Sequence, residues 1–177
     1  MAGFFFVLGV NAVYTKGEHM SQVIAERMSA RIEGDFVVLL IGMRINEWWK
    51  PHLWLPVARA MGRMLKELYS KPELGLLGHE FFFGRTVLVV QYWRSLDQLM
   101  DYARDRGGEH LPAWREFNQR VKGSKAVGIW HETYSVRPGS FESIYYGMPR
   151  FGLGKVGELV PAVGHMNQAR DRMKGAA

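Results

Sequence analysis

The chain contains no cysteine. That excludes disulfides, thiolate nucleophiles and cysteine-ligated zinc or iron–sulfur centres. It also fits a reducing, cytoplasmic setting. No apolar run reaches the ~20 residues that span a bilayer. No Gly-x-Gly-x-x-Gly follows a strand, so no flavin or nicotinamide fingerprint is expected. There is no Gly-x-Ser-x-Gly elbow. The six histidines include no His-x-His and no helical i, i+4 pair, so no metal site is expected from local spacing. No nucleic-acid motif occurs. The net charge is +6, but the basic residues are dispersed beside acids, as in Lys66-Glu67 and Arg115-Glu116. The excess gathers at Arg170, Arg172 and Lys174. We read this as a solvated surface and expect neither a nucleic-acid nor a membrane partner.

Hydrophobic residues make up 47% of the 177 positions, enough for one domain with a buried core. The apolar stretch Phe4 to Val10 has no basic residues ahead of it, as a secretory signal would require. Residues 1–22 are read as a dispensable extension, 23–147 as the folded domain and 148–177, punctuated by glycine, as an arm or partly ordered tail. Met20 or Met28 would serve equally as the start.

Within the domain, Phe36 to Ile41 is a continuous apolar, β-rich run and predicts a central strand buried on both faces. Leu53, Val57, Met61, Met64, Leu65 and Leu68 recur at helical spacing, with Pro56 placed in the first turn. Leu76 to Phe83 and Thr86 to Trp93 flank Gly84-Arg85 and predict a hairpin. Ser95 with Gln98 forms a capping box ahead of a second helix. A third helix runs from His110 to Val121, with Trp114, Phe117 and Val121 on one stripe. Ala126 to Val136 is a fourth strand, and Phe141 to Tyr146 reads as a short fifth. This order is the split βαβ pattern of a ferredoxin-like α+β sandwich.

The segments Met43-Arg44-Ile45-Asn46, Trp49-Lys50-Pro51-His52, Tyr92-Trp93-Arg94-Ser95, His110-Leu111-Pro112-Ala113-Trp114 and Gly128 to Tyr134 resemble a bacterial and fungal monooxygenase-like family. Its fungal relative takes part in fumagillin biosynthesis. The likeness covers roughly residues 25–160. The wider group resembles the antibiotic-biosynthesis monooxygenases. The resemblance implies a dimeric α/β barrel, a homodimer with a pocket between each sheet and its helices. It also implies a cofactor-independent oxygenase acting on a small apolar or aromatic molecule. A haem-dependent dehydratase or lyase and a non-catalytic ligand-binding dimer are the alternatives on the same superfold.

Histidine is the side chain best suited to take a proton near neutral pH. His110 lies on the Trp114 stripe, which directs it towards the sheet. Strand alternation puts His131 on one face with Ile129 and Thr133. These two are the candidate bases, each with an alternative reading as a hydrogen-bonded structural histidine. Either would also serve as the proximal ligand of a haem. His52 sits in a tryptophan-rich segment and, with Trp93, Tyr102 and Trp114, is a candidate for lining a pocket. Arg44, with Asn46, ends the first strand, where it would orient a substrate oxygen or pair with Glu47 or Glu132. His79 reads as a core or edge-strand residue.

Overall fold

The computed structural model describes residues 22–175, so the apolar stretch at the N-terminus and its expected dispensability lie outside the described residues. In chain order come β1 (Met28–Arg31), β2 (Phe36–Ile45), α1 (Pro51–Ser70), β3 (Leu76–Phe82) and β4 (Thr86–Trp93). Next are α2 (Leu96–Arg104), α3 (His110–Val121), β5 (Val127–Val136), α4 (Leu153–Val156), β6 (Glu158–Pro161) and α5 (Ala169–Gly175).

Strands β2 to β5 form an antiparallel sheet in the order β3-β4-β2-β5, with apolar β2 in the interior. Odd-numbered residues of β2 face the helices. Val37, Leu39 and Ile41 pack with Leu65 and Leu68 of α1, Trp93 of β4, and Leu99 and Tyr102 of α2. Farther along, Met43 and Ile45 meet Trp54, Val127 and Phe117. Helix α1 opens at Pro51, so Pro56 is its sixth residue and lies inside the helix, not in the first turn as expected; its missing N–H costs the helix one i→i−4 hydrogen bond. The Ser95 hydroxyl accepts the Gln98 N–H (3.1 Å) and starts α2 as the capping box predicts.

The opposite face departs from expectation. Residues 141–146 are not a strand: Tyr145 makes only an isolated bridge to Met28. Strand β1, which carries no clear alternation, pairs with β6 from the glycine-rich segment. That segment folds back onto the sheet, so Leu153, Phe141, Tyr145 and Val156 pack over Phe36, Val38, Tyr92 and Val136. The Gly152 N–H donates to the Glu80 carboxylate (3.0 Å) and the Gly154 N–H to the Tyr145 hydroxyl (3.1 Å). Burial pushes the Tyr92 phenol up to about 12, with Tyr145 and Glu80 adding to the effect. Arg172 of α5 is buried and bonded to Glu142 (2.8 Å), which pins the end of the segment.

Candidate functional site

Helix α3 has an apolar stripe but no buried residue. An amphipathic helix normally closes that stripe against its sheet. Here the stripe borders a broad cleft of about 2080 Å³ between the sheet and helices α1 and α3. Trp114 stays 46% exposed, stacked on Phe117 with ring centroids 5.8 Å apart. The floor is Ile41, Met43, Val87, Val89 and Ile129. At one end Trp48 and Trp54 meet edge to face at 6.0 Å, and the Trp54 indole donates to the Trp48 carbonyl (3.2 Å).

His110 and His131 both line this cleft. His110 opens α3 and its Nδ1 lies 2.9 Å from the Ala103 carbonyl oxygen. A carbonyl only accepts, so Nδ1 carries a proton, and in the uncharged tautomer the lone pair sits on Nε2. Behind it, ring contacts run from His110 to Tyr102 (6.2 Å) and on to Trp93 (5.8 Å). His131 sits on the outer strand β5, opposite Ile41, and is exposed.

The remaining candidates fall elsewhere. Trp93 is 1% exposed and belongs to the closed core, its indole donating to Gln91 (2.9 Å). Tyr102 is buried beside it, and its hydroxyl donates to Glu67 (3.3 Å). Burial and the neighbouring Glu67 raise the Tyr102 phenol well above its ordinary value. Both residues back the cleft without lining it. His52 is exposed in the first turn of α1 and does not line it either. Arg44 lies on the far face of the sheet and donates to Thr86 (2.9 Å), while Glu47 pairs with Lys50.

The cleft also takes in His79, which sequence reasoning set aside. Its Nδ1 is 2.8 Å from the Tyr69 hydroxyl. Burial, then the Lys155 ammonium, lowers its proton affinity. The available signal was its shared strand face with Phe81 and Phe83, which also line the cleft. Gly152-Leu153-Gly154-Lys155-Val156-Gly157 has dinucleotide-fingerprint spacing, yet it opens only a four-residue helix and follows no strand. Its glycines serve close packing. A Cβ on Gly157 would come within 2.5 Å of the Arg31 carbonyl oxygen, and one on Gly154 within 2.7 Å of Leu159. Among the described residues no cluster of three or more metal-ligating side chains occurs, and no helix is long and apolar enough to cross a membrane.

Comparison with known proteins follows the same lines. The chain is similar to Monooxygenase af470 of Aspergillus fumigatus, 28% identical over 157 residues that cover 77% of this chain and 56% of that protein. It therefore spans little more than half of that relative. Among solved structures it is similar in fold to the aldoxime dehydratase OxdRE, crystallised with butyraldoxime. The TM-score there is 0.62 at 17% identity, covering 76% of this chain and 41% of that one. It also matches SnoaB, a cofactor-independent oxygenase from Streptomyces nogalater, at a TM-score of 0.42 and 13% identity, over 58% of this chain and 94% of that one. The sequence pattern of the family described as Monooxygenase af470-like matches residues 36–153, two thirds of the chain, and the chain belongs to that family.

Proposed function

We propose that the chain is a cofactor-independent monooxygenase acting on a small, flat, apolar or aromatic molecule, with His110 as its base. The observation that carries this is the His110 ring. Its Nδ1–H is committed to the Ala103 carbonyl, which leaves Nε2 as the acceptor in an apolar cleft. A substrate proton passes to Nε2 and the bonding pair stays on the substrate as a delocalised anion. That anion delivers electrons to dioxygen, which ends as one oxygen atom in product and one in water. The protein supplies proton removal, orientation and exclusion of water. Trp114 and Phe117 offer the face on which a flat ring stacks. The activity carried by the related Aspergillus protein supports the reaction class.

Oxygen uptake with anthrone- and naphthol-type substrates tests this. His110→Ala should lower turnover by ~100-fold or more, the usual worth of a positioned base. His131→Ala, on the exposed outer strand, should lower it less. Full activity in His110→Ala, or no uptake with any such substrate, overturns the reading.

A haem-dependent dehydratase is the second reading. The residues fit: His110 Nε2 would hold the iron in a roomy apolar cleft, and Lys66 and Lys155 on its lining suit haem carboxylates. Bound haem would supply an iron centre for a nitrogen- or oxygen-bearing ligand. A Soret band on titrating the purified protein with haemin, lost in His110→Ala, would favour it.

A further inference from the structure

The cleft has a second chemical end, built from three separate elements. Tyr69 comes from the last turn of α1, His79 from β3 and Lys155 from α4. Tyr69 and His79 are joined at 2.8 Å, their rings 5.5 Å apart. Phe81 and Phe83, with ring centroids 4.4 Å apart, continue the wall alongside. Lys66 of α1 lines the same cleft.

The two lysines at this end make no ion pair: among the described residues no carboxylate pairs with Lys66 or Lys155. Arg120, which also lines the cleft, is by contrast paired with Glu116 at 2.8 Å. Glu80 follows His79 on the strand and also borders the cleft, but its carboxylate accepts the Gly152 N–H and pairs with neither lysine. Burial and then the Lys155 ammonium disfavour the charged form of the His79 ring. An ammonium without an ion-pair partner beside a half-buried imidazole, over an apolar wall, is complementary to a negative oxygen on a flat apolar body.

We propose that this end of the cleft anchors the acidic oxygen of the substrate, a carboxylate or phenolate on a flat aromatic body. Lys155 faces the charge, and His79, held by Tyr69, hydrogen-bonds the same oxygen. The proposal deepens the oxygenase reading by naming its substrate class, and it rests on that reading only for what happens after binding.

Isothermal titration at pH 7.5 with 2-naphthoate and its neutral near-isostere 2-acetonaphthone tests it without turnover. The wild-type chain should bind the carboxylate about tenfold more tightly. Lys155→Met and His79→Gln should abolish that preference while keeping affinity for the ketone, which also certifies that the variants are folded. Lys125→Met, which removes an equal charge elsewhere on the surface, should keep the preference. Equal affinity in the wild type, a preference surviving Lys155→Met, or no binding of either probe overturns the proposal. His110→Ala should bind both probes as the wild type does. A chain that shows the preference but consumes no oxygen would retain the anchoring site and remove the oxygenase reading alone.

Discussion

At the scale of single residues, period and position state which way a side chain points and not how deep it lies. Alternation puts His131 and Ile129 on one face, and the register, opposite Ile41 and Met43, makes that face the helix side. The same logic gives no depth, so Trp93 and Tyr102 read as lining when they are core. His79 was legible as a neighbour of Phe81, but its partner Tyr69 lies on another element and only the fold joins them. Glu67 illustrates the same limit. From α1 it accepts the Glu109 N–H at the start of α3 (2.9 Å), the Lys71 ammonium (2.9 Å) and the Tyr102 hydroxyl. Burial alone would raise its carboxyl, but these hydrogen bonds outweigh burial and lower it below its ordinary 4.5. A lowered folded-state value means stability that is complete above pH 4.5 and lost as pH falls through the folded value. Glu67→Gln should cost about 2 kcal/mol at pH 7, and the difference from the wild type should shrink towards pH 3. Urea unfolding at the two pH values checks this, and an undiminished difference at pH 3 would remove the ionic explanation.

At the scale of elements, the four long strands and three main helices were legible because each carries its own period and punctuation. Strands β1 and β6 were not, being four residues each and holding Ser29, Arg31, Glu158 and Pro161 among their few positions. Glycine misled most. In a tail it suggests freedom, whereas Gly78, Gly154 and Gly157 stand where a Cβ would strike Val156, Leu159 and the Arg31 carbonyl. They let the C-terminal segment lie close against the sheet. Two expectations follow. Leu153→Ala, in the buried contact with Phe36, should cost about 2–3 kcal/mol and lower Tm by about 5–10 °C in a chain of this size. Tyr146→Ala, at a position 76% exposed, should leave Tm unchanged. Differential scanning calorimetry separates them, and equal melting of both variants would mean that the segment is not part of the cooperative unit.

At the scale of the whole molecule, the question is what covers the face of the sheet turned away from the helices. The C-terminal segment covers only the end that holds Phe36 and Val38. At the other end Leu40, Leu88, Val90 and Trp130 stay partly exposed, with Phe82 at 43% beside Leu88. The register puts Leu40 beside Val90 on one side and Glu132 on the other, and Gly42 between Leu88 and Trp130. The apolar positions therefore form one patch, edged by Arg44, Thr86 and Glu132. A contiguous apolar patch with a polar edge marks an association site. Two copies of the same patch related by a two-fold axis would cover each other, with Arg44 and Glu132 available for charge pairing across the interface. A homodimer is accordingly expected, although the interface is smaller than a wholly bare sheet would provide. Light scattering on the eluted protein should give about twice the 20.3 kDa chain mass at micromolar concentration. Leu40→Arg and Val90→Glu place charges in the middle of the patch and should each give a folded monomer. The helix-side cleft, on the opposite face, should still bind 2-naphthoate in those monomers. A wild-type chain that stays monomeric at that concentration would mean that the patch is solvated as it stands and that the sheet needs no second copy.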